Sequence, residues 1–164
     1  MYSEPGKGTT FKIFLPQCEA EASPEPKEPP PAAEVNGNET ILLVEDQVAI
    51  REVTSIYLMS LGYNVLAAPD GEAALRIAET QQKRIDLVVT DIVMPNMGGR
   101  ELATHINRLH PQAKVLFMSG YPDFSVRHTE GLSEHAEVLQ KPFSLKSLAS
   151  KARFLLDKDG AVQQ

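Results

Sequence analysis

Four short apolar runs, each ending on a polar residue suited to phosphoryl chemistry, constrain this chain more than any other feature. Ile41–Val44 runs into Glu45-Asp46, and Leu87–Val89 runs through Thr90 into Asp91. Val115–Met118 runs into Ser119, and Val138-Leu139 runs through Gln140 into Lys141. Helical patterns separate the runs. Strands alternating with helices form a parallel sheet covered on both faces, and ligands of such sheets bind just beyond the carboxyl ends of the strands. The polar endings therefore converge on one crevice, where three carboxylates, a hydroxyl and an amine make a site for a divalent cation and a phosphate.

The helical patterns sharpen this reading. Ile50, Val53, Tyr57 and Leu61 form a stripe that stops at Gly62, a natural residue just past a helix end. Asn64–Ala67 reads as a weaker strand, and Asp70 as the cap of a helix carrying Ala74, Ile77 and Ala78. The third strand leads through Met94-Pro95-Asn96-Met97-Gly98-Gly99 to a helix with Leu102, Ala103, Ile106 and Leu109, stopped at Pro111. A poorly patterned stretch from Asp123 to His135 reads as one short helix broken near Gly131. Ser144 caps a last helix with Leu145, Leu148, Leu155 and Leu156 on one side. The fold expected is α/β, a doubly wound (βα)5 with a five-stranded parallel sheet. The second strand ends in Ala67-Ala68-Pro69, with nothing chemical, which suits an edge in the order 2-1-3-4-5.

The first 38 residues are different in kind. Residues 1–16 alternate polar and apolar around Phe11, Ile13 and Leu15, predicting one strand after the Gly6/Gly8 turn. A single strand cannot bury a face alone, so the segment reads as the end of another domain. Residues 17–38 read as a flexible linker: six of the twelve prolines fall between Pro16 and Pro31, interleaved with Glu19, Glu21, Glu25 and Glu28. Such a stretch stays extended, reaching roughly 60 Å over some 20 residues. Residues 39–158 carry the α/β pattern, and 159–164 read as a disordered tail.

Composition excludes several classes. The net charge of −6, with no basic run, argues against a sequence-independent grip on nucleic acid. No apolar stretch approaches the ~20 residues that cross a bilayer, and no signal peptide opens the chain, so any membrane anchor would belong to a larger protein. Lone Cys18 predicts an exposed thiol in a cytosolic protein, and the localisation expected is cytoplasmic. His105, His110, His128 and His135 show no paired ligand spacing and read as surface or helix-end residues. Gly6-Lys7-Gly8-Thr9-Thr10 fails as a phosphate-binding loop, since Gly follows Lys7 and no helix ensues.

Each polar ending taken singly has a plain structural reading: Asp46 as a helix cap, Lys141 as a solvated lysine, Ser119-Gly120 as a turn. Together they can do chemistry. Glu45, Asp46 and Asp91 supply carboxylates for Mg²⁺, and a carboxylate can also attack phosphorus to give an aspartyl phosphate. Lys141 and Ser119 can hold phosphoryl oxygens, and phosphoryl transfer needs mainly positioning and charge compensation.

In Val44-Glu45-Asp46, Asp91–Gly99, Met118-Ser119-Gly120-Tyr121 and Leu139-Gln140-Lys141-Pro142-Phe143, the stretch from Glu39 to Asp157 resembles the receiver domain of two-component response regulators, a flavodoxin-like fold. The resemblance implies that Asp91 is the phosphoacceptor and that Asp46 binds Mg²⁺ directly and Glu45 through water. It also implies the backbone carbonyl of Val93 on the metal, Ser119 as the switch hydroxyl, Lys141 on the phosphoryl group and a cis Lys141-Pro142 bond. Ser3–Pro16 is similar to the last turn and strand of a histidine-kinase ATP-binding domain. Kinase tail, linker and receiver is the order of a hybrid sensor histidine kinase, so the chain resembles the carboxy-terminal piece of one. The phosphorylated histidine and ATP site of that parent phosphotransferase are absent from these residues.

Two departures stand out. Glu45 replaces the commoner Asp, and Val138 occupies the position where many relatives carry an aromatic switch residue. The partners implied are the phosphohistidine domain of its own or a cognate kinase, a histidine phosphotransfer protein and a second copy of the chain. Val93 and Tyr121 flank the expected path of hydrolytic water, which predicts a long-lived phosphoryl group. Three rivals remain at this point. An aspartate-nucleophile phosphohydrolase would need Asp-x-Asp, which Asp91-Ile92-Val93 lacks. A binding-only module would lack Mg²⁺ affinity. A free-standing response regulator would not carry the kinase-like tail, and no DNA-binding segment follows Asp157.

Overall fold

The computed structural model describes residues 2–12, 14, 36–81, 83–120 and 136–158. The linker expectation at 17–35, Cys18, Tyr121, the helix expected in 123–135, His128, His135 and the tail 159–164 lie outside the described residues. The chain divides into two compact units, Met1–Pro31 and Ala32–Gln164. No described helix is long and apolar enough to cross a membrane.

In the first unit, Tyr2–Glu4 and Gly8–Thr10 pair antiparallel. Lys7 N–H donates to the Glu4 carbonyl at 3.0 Å, closing a turn with Pro5 second and Gly6 third. Gly6 has φ +80°, the value that a type II turn demands at its third position. Lys7 also pairs with Glu4 at 2.8 Å, an exposed surface contact rather than part of a phosphate loop. Of the strand expected around Phe11, Ile13 and Leu15, the described residues form Gly8–Thr10; Phe11 lies beyond it, and Ile13 and Leu15 lie outside the described residues. The register places Thr10 opposite Tyr2 and Gly8 opposite Glu4. Phe11 and Phe14 are 70% and 88% exposed.

The second unit holds a five-stranded parallel sheet: β1 (Thr40–Val44), β2 (Asn64–Ala68), β3 (Leu87–Asp91), β4 (Lys114–Ser119) and β5 (Ala136–Gln140). The order is 2-1-3-4-5, as expected, and every pairing is parallel. Helices α1 (Val48–Ser60), α2 (Gly71–Thr80), α3 (Gly99–Leu109) and α4 (Leu145–Asp157) cover it. Side chains alternate across a pleated strand, and the two faces make separate cores. Ile41, Leu43, Leu87, Val89, Leu116 and Met118 pack with Leu58 of α1 and Leu148 and Leu155 of α4. Leu42, Val44 and Val88 pack with Ala74 and Ala78 of α2 and Leu102 and Ile106 of α3. Both faces being buried explains why the central strands read as unbroken apolar runs.

Helix caps match the sequence. The Asp70 carboxylate accepts from Ala73 N–H at 2.7 Å, and the Ser144 hydroxyl from Ser147 N–H at 3.0 Å. Helix α1 departs from expectation. Its buried residues are Thr54, Ser55 and Leu58, while Val53 of the expected stripe is 54% exposed. The other three stripe residues, Ile50, Tyr57 and Leu61, are partly buried, so the inward face follows the expected stripe with Thr54 and Ser55 in place of Val53. His110 sits at the end of α3, as expected for a helix-end histidine, with its ring Nε2 3.0 Å from the Ala78 carbonyl of α2. Buried Lys114 donates to the Leu155 carbonyl at 2.6 Å, satisfying the last turn of α4.

Two features tie the sheet to its site. Gly99 opens α3 directly beneath the end of β3: a Cβ there would strike the Asp91 carbonyl and lie 2.9 Å from Thr90 Oγ1. At the opposite edge, Gly37 N–H donates to the Leu61 carbonyl and Asn64 N–H to Glu39, so hydrogen bonding of this unit begins before β1. Arg153 Nη2 lies 2.7 Å from Glu39 Oε1.

Gly99→Ala is expected to destabilise the domain by about 1–3 kcal/mol, because the added methyl meets backbone that cannot give. Urea denaturation reads this directly; an unchanged midpoint would contradict the packing. For Glu39, burial pushes the carboxyl up, but Arg153 outweighs it and holds the pKa below the ordinary 4.5. The unfolded chain therefore binds this proton at a higher pH than the folded chain. The pair's contribution is present above pH 4.5 and fades as pH falls below it. Glu39→Gln should lower stability near neutrality and flatten the acid limb of a denaturation profile taken between about pH 3 and 7.

Candidate phosphoryl and metal site

Strand register brings the polar endings together. Val44 is opposite Thr90, Asp91 opposite Met118, and Ser119 opposite Gln140, so all four strands stop at one level. Backbone bonds continue past the strands: Ile92 N–H donates to Met118, and Lys141 N–H to the Ser119 carbonyl at 2.6 Å. The Lys141-Pro142 peptide is cis, as the resemblance implies.

At the centre, the Lys141 ammonium donates to Asp91 Oδ2 at 2.7 Å and to Glu45 Oε2 at 3.0 Å. Glu45 is wholly buried at the end of β1, and its other oxygen accepts from Gln47 N–H at 3.2 Å. Asp91 Oδ1 accepts from Val93 N–H at 3.2 Å. Asp46 stands beside them at the exposed rim, and carboxylate oxygens of Glu45, Asp46 and Asp91 all lie within 4.8 Å of one another. Asp46 is not the helix cap: Gln47 holds that position, with no side-chain cap bond. Ser119 is buried at the end of β4, Val93 is 62% exposed in the loop after β3, and Val138 packs at the edge of the Phe117 cluster.

The electrostatics follow from this packing. Burial raises the Glu45 carboxyl above its ordinary pKa; Lys141 works against that rise, and the neighbouring Asp46 adds to it. For Lys141, burial opposes the ammonium, but Asp91 and Glu45 outweigh it and move its pKa up. One ammonium against three carboxylates leaves an excess of negative charge that a divalent cation would balance. The donor set is all oxygen, which suits Mg²⁺ rather than a softer metal.

Two residues at this site went unread in the sequence. Gly99 was only part of a turn, and its need for space under Asp91 is a long-range property. Arg51 looked like any polar helical residue. Its Nη1 donates to the Glu45 carbonyl at 2.6 Å and to the Asp46 carbonyl at 3.3 Å. The only local signal was its place one turn before Thr54 and Ser55, on the face that α1 turns inward.

Comparison with known proteins agrees with the geometry. The family model of the response regulator receiver domain matches residues 41–153. The sensor kinase CckA of Brucella abortus (strain 2308) is 39% identical over 163 residues, 95% of this chain and 17% of that protein's length. The response regulator receiver protein CpdR of the same organism is 33% identical over 116 residues, 71% of this chain and 95% of that protein. Among solved structures, the receiver domain of the hybrid histidine kinase CckA gives a TM-score of 0.62 at 37% identity, covering 71% of this chain and 98% of that one. The response regulator TrrA of Thermotoga maritima, solved in complex with Mg(2+)-BeF, gives a TM-score of 0.62 at 30% identity, with the same coverage of 71% and 98%. The chain belongs to the response regulator receiver domains, the phosphoacceptor modules of two-component signalling.

Proposed function

We propose that Asp91 takes a phosphoryl group from a phosphohistidine, and that this receiver is the carboxy-terminal part of a hybrid sensor histidine kinase. A carboxylate oxygen of Asp91 forms the new bond to phosphorus. The bond from phosphorus to the imidazole nitrogen breaks, its electron pair leaving with the ring. The observation that carries this reading is the Lys141 ammonium, shared between Asp91 and Glu45 beside Asp46. Glu45, Asp46, Asp91 and the Val93 carbonyl are the residues to hold Mg²⁺, which when bound offsets the repulsion between Asp91 and an anionic donor. Lys141, already within 2.7 Å of Asp91, exchanges a carboxylate oxygen for a phosphoryl oxygen, and Ser119 donates to another. The resulting acyl phosphate biases a two-state arrangement of the surrounding loops. The hybrid-kinase reading is supported by the match to CckA, which spans 95% of the chain and so includes residues before the receiver.

A phosphohistidine must come within bonding distance of Asp91, so the body that carries it rests on the rim beside Lys141. That rim is apolar. A groove of about 470 Å³ runs from Ala49, Ile50 and Val53 to Pro142 and Phe143. Val53 and Ile56 add exposed apolar surface along α1. A helical phosphohistidine domain with its own apolar face is the occupant this groove fits.

Asp91→Asn is expected to abolish labelling by both acetyl phosphate and a phosphorylated kinase; undiminished labelling would refute the assignment. Replacing Val53 and Ile56 together with Glu should slow transfer from a phosphohistidine protein by at least about tenfold, since charge is driven into the contact. Labelling by acetyl phosphate should stay unchanged in that variant. Equal loss with both donors would show that the face does not serve docking.

A further inference from the structure

The loop between β1 and α1 carries two of the three carboxylates, yet its local chemistry leaves it weakly held. Gln47 caps α1 without a side-chain hydrogen bond, and the first turn of the helix carries no acidic residue. The Glu45 side chain is occupied with Lys141 and Gln47. What grips the loop's backbone is Arg51, whose Nη1 reaches the carbonyls of Glu45 and Asp46 together, at 2.6 and 3.3 Å. Its own N–H donates to the Gln47 carbonyl at 3.0 Å, so the side chain arises from the helix turn that the loop feeds.

Two successive carbonyls held by one guanidinium nitrogen fix the two peptide planes that flank the Asp46 Cα. Those planes set the Asp46 backbone, and through it where the Asp46 carboxylate points. Charge acts in the same direction. The guanidinium is permanently cationic and sits against the backbone of a site with excess negative charge, without competing for the carboxylate oxygens. Both bonds come from Nη1 alone, so a lysine ammonium could serve the two carbonyls in part, from a differently shaped stem.

We infer that Arg51 is a positioning residue for the cation site: its guanidinium ties the carbonyls of Glu45 and Asp46 and thereby aims the Asp46 carboxylate at the metal. This rests on the reading of Glu45, Asp46 and Asp91 as the Mg²⁺ site. Partners that orient metal ligands typically contribute 10–100-fold in affinity. Removing Arg51 therefore weakens Mg²⁺ binding without removing a ligand.

The test is a calorimetric Mg²⁺ titration of the full chain as wild type, R51A, R51K and D46N, alongside the Mg²⁺ dependence of labelling by acetyl phosphate. For R51A the dissociation constant for Mg²⁺ should rise by about tenfold. The half-saturating Mg²⁺ for labelling should rise with it, while the rate at saturating Mg²⁺ stays near wild type. R51K should fall between the two. A general loss of structure would lower the saturated rate instead, and if R51A does not fold, R51K alone decides. Wild-type Mg²⁺ affinity in the arginine variants, with D46N impaired, would overturn the role of Arg51 and leave the metal site standing. Wild-type affinity in D46N would overturn the site itself, and this inference with it.

Discussion

The Lys141 ammonium, within 3.0 Å of both the carboxylate that follows β1 and the one that ends β3, is the contact on which the rest of the site turns. Glu45 is fully buried, and a buried carboxylate without a partner would be driven to take up a proton. Lys141 opposes that shift, and in return both carboxylates hold its charge. Because Lys141 enters from β5, one ammonium ties together three strands of the sheet. The same ammonium is the group best placed to follow charge from a carboxylate to a phosphoryl oxygen.

That contact exists only because the strands end at one level. Parallel pairing with Asp91 opposite Met118, and Ser119 opposite Gln140, sets the rim. Two independent cores then fix the register, since a slip by one residue would exchange the faces that α1 and α4, or α2 and α3, cover. Gly99 adds a local condition: α3 begins so close under Asp91 that no side chain fits there. Fold stability and site geometry thus share residues, and the acidic rim is where local charge repulsion is tolerated.

Much of the architecture was legible along the chain because its causes are local. The Asp70 and Ser144 caps and the stop of α1 before Gly62 each depend on residues within a few positions. Where causes were not local, the reading slipped. In helix α1 Thr54 and Ser55 are buried while Val53 is exposed, a choice of face that apolar periodicity does not mark. In the first segment the strand after the Gly6 turn covers Gly8–Thr10 and pairs with Tyr2–Glu4, a partner that apolar alternation did not announce. Arg51 carried no signal in apolar patterning, since its partners are backbone carbonyls rather than side chains.

The sequence by itself determined the alternation of strands and helices, the strand order and the identity of the polar residues at the strand ends. Those follow from periodicity, capping and the handedness of parallel crossovers, all of which short segments express. Only the tertiary structure decided that Lys141 serves Asp91 and Glu45 at once, that Asp46 stays at the rim instead of capping α1, and that Arg51 grips the loop between them. Those are distances between groups up to 96 positions apart, and such distances arise only after both faces of the sheet are packed.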